Sequence, residues 1–202
     1  MWFLGGATAT ETPMTRQSPP NIAGFSAEQR AQYERFTQTR KPAPNGALGG
    51  PFDPWLTNAE LLHRLSGLGA MLWARTSLGR GLVELAICVT GKFWEANVEW
   101  VAHAPRAVEY GVPQSVLDDV LAGRRPTSGR PEDALVYDLC QTMHETHALP
   151  RPLYDAGVAA FGERGLAELM AVIGYYTLVS MTLNAFEVQV GHGMVAPFER
   201  GD

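Results

Sequence analysis

Residues 80–90, RGLVELAICVT, and residues 95–103, EANVEWVAH, decide how this chain is read. In the first stretch Leu82, Val83, Leu85, Ala86, Ile87 and Val89 nearly enclose one carboxylate, Glu84. Such a run reads as a buried helix, and a carboxylate inside it is costly unless paired or protonated. Glu84 therefore needs either an ion pair, with Arg80 or Arg75 the nearest choices, or a function. In the second stretch Glu95, Glu99 and His103 recur every four residues, which sets them along one helix face, and Arg106 extends that face. A carboxylate one turn before a histidine raises the imidazole pKa and holds the ring, as general acid–base chemistry requires. The competing account is an exposed i,i+4 ion pair worth a few tenths of a kcal/mol.

Working outward, the helical period continues on both sides. Thr57 with Glu60 makes a capping box for a helix carrying Leu61, Leu62, Leu65, Leu68 and Leu72. The helix through His103 runs from about Glu95 to Tyr110 and stops at Gly111. Pro113–Ala122 is a short helix closed by Gly123, and Pro131–His147 starts with Pro, Glu and Asp in its first turn. Arg151–Phe161 and Leu166–Val188 complete the set. No alternating strand pattern survives anywhere, so the class is all-α.

Residues 1–54 read as a flexible N-terminal arm. One short helix is expected in it at Ser26–Gln38, capped by Ser26 with Gln29 three residues on. Thr39–Pro54, interrupted by Pro42, Pro44, Gly46, Gly49, Gly50 and Pro51, reads as irregular. Residues 55–195 form the helical domain and 196–202 a C-terminal tail. The start, MWFLGGATATETPMT, lacks a basic region and is no secretory signal, and Met14 is an alternative start. Residues 166–186, LAELMAVIGYYTLVSMTLNAF, approach the ~20 apolar residues that span a bilayer. Glu168 and Glu187, with interruptions by Gly, Thr, Ser and Asn, favour a buried helix instead, and no membrane partner is expected.

The composition, 202 residues with 46% apolar content and a net charge of −5, suits one packed domain. It offers no basic stripe for nucleic acid. Cys88 and Cys140 form neither a CxxC pair nor a zinc spacing, so free, buried thiols and a cytoplasmic location are expected. Trp94 and Trp100 flank the acidic face, where core packing competes with lining a pocket. Tyr175 and Asn184 sit in the apolar closing helix, and Asn184 needs partners for cohesion or for a site. No metal site is expected. His144 and His147 in MHETH lack further ligands, His63 and His192 lack any constellation, and Glu84, Glu99 and His103 would hold a metal only if all three converged.

RGLVELAICV (80–89), VEWVAHAPRAVEYGVP (98–113) and GLAELMAVIGYYTLVSMTLNAFEV (165–188) together resemble the carboxymuconolactone decarboxylase family, which shares its fold with alkyl hydroperoxidase D. The resemblance covers roughly Asn58 to Val190. It implies an all-helical bundle assembled as a trimer or hexamer, with sites between helices near subunit contacts. The hydroperoxidase branch has a Glu, a CxxC pair and a His one turn beyond. Glu84 and His103 match the Glu and the His, while the cysteine positions fall on Ala96 and Glu99. Without a thiolate there is no nucleophile for a peroxide, so thiol-peroxidase activity is not inherited.

Glu84, Glu99 and His103 instead resemble the cysteine-free branch, which works without metal or organic cofactor. The resemblance implies a decarboxylase-like lyase acting on a small carboxylated lactone, keto acid or aromatic-derived acid. His103 would move the proton, Glu99 would tune it, and Glu84 would hold a substrate group or relay a proton. Arg106, Trp100, Trp94, Tyr175 and Asn184 are the expected substrate contacts, Arg106 through a carboxylate unless it is simply a solvated cation. A non-catalytic oligomeric ligand-binding or scaffold protein of the same fold is the alternative.

Overall fold

A computed structural model describes residues 15–191 and 193–199; Met14 and His192 lie outside them. The described chain is all-helical, with α1 Ala27–Thr37, α2 Phe52–Leu56, α3 Ala59–Ala74, α4 Arg80–Phe93, α5 Asn97–Glu109, α6 Gln114–Leu121, α7 Pro131–Thr146 and α8 Arg151–Ala185. Every residue of α4 from Gly81 to Gly91 is buried, so α4 is the axis around which α5, α7 and α8 pack. That follows from composition, since a helix apolar on all faces has no side to give to water. Close approach is needed as well. A Cβ on Gly81 would stand 2.6 Å from the Tyr110 carbonyl oxygen at the end of α5.

Two helix starts differ from the sequence reading in detail. Asn58, not Thr57, caps α3, its side chain accepting from the Glu60 and Leu61 amides at 3.1 and 3.2 Å, while the Thr57 hydroxyl donates to the Pro54 carbonyl. Glu95 precedes α5 in a left-handed conformation (φ 50°), so it leaves the face shared by Glu99 and His103. The Ser26–Gln29 capping box of α1 forms as expected.

The run Arg151–Ala185 breaks at Gly162, with φ 69° and ψ 168°, which separates the two helical segments anticipated on either side. Half of its apolar window is buried inside the bundle. By length and composition alone this helix could cross a membrane. Its inner face, with Leu166, Leu169, Val172, Ile173, Tyr176, Val179 and Leu183, is part of the core.

The described residues toward both ends lie on the bundle. In the arm, Gln29 donates to the Leu56 carbonyl and Tyr33 to that of Gly46, and Arg35 bonds Ser66 on α3. Near the other end Phe198 is buried beside Trp100, and Asn97 clasps its backbone through both N–H and C=O, at 2.8 and 3.0 Å. The expected tail is therefore anchored at Phe198.

Candidate active site

A three-residue connection turns the chain from α4 into α5 and lays the two helices against each other. Gly91 lets them close, because a Cβ there would meet that of Glu99 at 3.2 Å. Glu84 from α4 and His103 from α5, 19 residues apart, then face each other inside the bundle. His103 Nδ1 lies 2.6 Å from Glu84 Oε2, and the indole N–H of Trp73 on α3 donates to Glu84 Oε1 at 2.6 Å. Glu84 is completely buried, so these two bonds account for the carboxylate that the sequence marked as anomalous. Neither arginine offered as its partner is used. Arg80 stacks over the Trp73 ring at 4.3 Å and donates to the Tyr110 hydroxyl.

Glu99 stands in the first turn of α5, where the helix dipole favours a negative charge. Its Oε2 is 3.2 Å from His103 Nε2, an ion-pair distance, yet the N–H is not aimed at it. This buried oxygen has no hydrogen bond among the described residues. We regard the contact as electrostatic, which leaves Oε2 free to accept a proton or a bond from a ligand. Burial alone would lower the His103 pKa. The bond to Glu84 and the charges of Glu84 and Glu99 outweigh it and raise the imidazole from 6.5 to about 9, which favours the cationic ring at neutral pH. Tyr176 meets it edge-on at 5.3 Å, with its phenol held neutral first by burial and then by the nearby Glu99 charge.

His103 and Glu99 floor a cleft of about 690 Å³, walled by Trp73, Tyr175, Tyr176 and Arg106 and, across from them, by Arg35, Phe36, Arg40 and Phe52 of the arm. The size is that of a small-molecule site. Tyr175 is fixed by donating to the Leu65 carbonyl at 3.0 Å, for which Gly69 leaves room. Of the expected substrate contacts, Arg106 and Tyr175 line this cleft. Trp100, Trp94 and Asn184 are not among the residues that line it. Trp100 packs edge-on against Phe198, and Asn184 donates to the Trp94 carbonyl at 2.6 Å, a bond that ties α8 to the α4–α5 turn. Glu84 is fully buried, is not among the residues that line the cleft, and meets the imidazole at Nδ1. Trp73, Arg40 and the arm were not singled out in the sequence.

The two carboxylates flank opposite nitrogens of one ring, so they share no point at which a cation would be surrounded. No group of three or more His, Cys, Asp or Glu is arranged to hold a metal among the described residues. Cys88 and Cys140 are free and buried. Burial pushes both thiols up, that of Cys88 further through Glu84 and Glu99, which opposes formation of a thiolate.

No family model matches the chain, and no curated protein does. Solved structures do match. An uncharacterized peroxidase-related protein from Silicibacter sp. TM1040 superposes with a TM-score of 0.73 at 12% identity, over 92% of this chain and 96% of that one. An uncharacterized peroxidase-related protein from Ralstonia eutropha JMP134, described as an alkylhydroperoxidase AhpD core, gives 0.72 at 14% identity over 90% and 94%. This chain has the AhpD core fold. At such identities the likeness extends to the fold and no further.

Proposed function

We propose that the chain is a cofactor-independent, decarboxylase-like acid–base enzyme acting on a small carboxylated lactone, keto acid or aromatic-derived acid. The observation that supports it is an imidazolium buried between two carboxylates at the floor of a cleft of ligand size. In a substrate whose carboxylate is β to a carbonyl, the electron pair of the breaking C–C bond moves toward that carbonyl as CO₂ leaves, giving an enolate. The Nε2–H of His103 then protonates the carbon of the resulting enolate, and solvent restores the ring. Glu84 holds the ring from behind, and Glu99 stabilises its charge or takes a proton in the reverse sense. The peroxidase chemistry in the names of the structural neighbours is not proposed here, because neither buried thiol is poised as a thiolate.

The test is turnover of a panel of β-keto acids and carboxylated lactones, followed by CO₂ release and by deuterium incorporation from D₂O. His103→Gln is expected to lower turnover about 10²–10⁴-fold. Unchanged turnover in that variant overturns the reading. A wild-type protein that binds these acids without converting them supports the ligand-binding alternative.

The proposal includes a homo-oligomer, a trimer or hexamer, in a reducing compartment such as the cytoplasm, which suits two free thiols. On the outer face of α8 the exposed Ala167, Ala171, Gly174, Leu178, Met181 and Ala185 follow one another at spacings of four and three. That uncharged stripe has the period of a helix-packing seam and runs about 27 Å. Light scattering that gives a 22.0 kDa particle at micromolar concentration overturns the oligomer.

A further inference from the structure

The mouth of the cleft carries positive charge that the proton chemistry does not use. Arg106 follows His103 by three residues on α5, which puts their Cβ atoms about 5–6 Å apart. Arg40 comes from the arm, just beyond α1, with its guanidinium over the face of Phe52 at 4.5 Å. Both line the cleft, and neither is ion-paired among the described residues. The carboxylate whose charge acts on Arg40, Asp53, is already occupied in accepting the Leu48 and Gly49 amides, both at 2.8 Å. Arg35, a third cation on the same wall, bonds only the neutral Gln32 and Ser66 side chains. Against them stands Glu109, exposed on α5 at the rim.

The chain carries a net charge of −5, and arginines elsewhere, such as Arg64, Arg124 and Arg125, are ion-paired to carboxylates. Burial lowers the Arg40 pKa, and the like charge of Arg106 lowers it further, with Asp53 opposing. Two guanidiniums facing one opening repel each other until an anion sits between them, and their planar forks suit a carboxylate.

We propose that Arg40 and Arg106 form a two-guanidinium clamp for an anionic group of the ligand at the cleft mouth, with Arg40 a specificity-determining residue supplied by the N-terminal arm. The proposal rests on the assignment of this cleft as the active site. It adds that the clamped group is distinct from the reacting centre held at His103, since the arginines lie at the rim and the imidazole at the floor.

The probes are benzoate and its uncharged counterpart benzamide, titrated into the full chain and read by saturation-transfer NMR. Both are small enough for a cleft of about 690 Å³ lined in part by Phe36, Phe52 and Tyr175, and only one carries charge. Benzoate is expected to bind about tenfold more tightly, a preference that Arg40→Gln and Arg106→Gln each remove and Arg40→Lys partly restores. Benzamide affinity in Arg40→Gln should stay at the wild-type value. Loss of both ligands would mean that Arg40 only props the arm, and would overturn the clamp. Equal binding of the two probes to the wild type, or no saturable benzoate binding, overturns it as well. His103→Gln separates this proposal from the proposed function: turnover surviving there sinks the acid–base reading, whereas the benzoate preference stands or falls on the arginine variants.

Discussion

Trp73 and Glu84, on different helices, share a 2.6 Å hydrogen bond that fixes one carboxylate oxygen and turns the other toward His103. Among the described residues the indole is the only donor to Oε1, and Glu84 is fully buried, so removal of the indole leaves a buried oxygen unsatisfied. Trp73→Phe is expected to cost about 1–3 kcal/mol in urea unfolding. An unchanged midpoint would show that the carboxylate finds another donor.

Glu84→Gln removes the charge behind the ring. The imidazole then keeps the burial that lowers its pKa and loses its strongest hydrogen-bonded support. The His103 titration, followed by NMR, is expected to fall from about 9 toward or below 6.5. A pKa that stays near 9 would assign the elevation to Glu99 alone.

The same elevation links stability to pH. The folded-state pKa, about 9, exceeds the unfolded value of 6.5, so the folded form binds the proton more tightly. The resulting stabilisation is fully present below about pH 6.5 and is lost as pH rises through 9. The loss is on the order of 3 kcal/mol. Urea unfolding of wild type between pH 6 and pH 10 should show it, and His103→Gln should flatten that slope.

Gly81→Ala tests the packing that brings α5 onto α4. The added methyl would press on the Tyr110 carbonyl, a backbone atom that cannot swing aside. A destabilisation of about 1–3 kcal/mol is expected, read as a lower thermal midpoint.

Neither cysteine should react with a thiol reagent in the native protein, and both should react in urea. Hydroperoxide reduction at the expense of these thiols is likewise expected to be undetectable. Rapid native labelling of Cys88 would reopen peroxide chemistry.

Much of this architecture is legible in the sequence because it is periodic. The unbroken apolar run around Glu84 could only be a buried helix, and the four-residue spacing of Glu99 and His103 put them on one face. What escaped notice depends on distant segments meeting. Nothing about Trp73 marks it as the partner of a carboxylate 11 residues on, since that bond depends on how α3 and α4 cross. The Pro- and Gly-rich arm announced irregularity but not where it would lie. Trp94 and Trp100 are near the site in sequence, yet the helical twist carries Trp100 toward Phe198, and Asn184, far along the chain in the closing helix, braces the turn at Trp94.

The arm supplies one wall of the cleft and α5 its floor, so two stretches of chain divide the labour. Exchanging or reshaping residues 35–52 would alter which molecules are admitted while the acid–base pair stays untouched. If the cleft takes a ligand, its preference can be altered at the exposed arm positions Arg35 and Arg40 without touching Glu84 or His103.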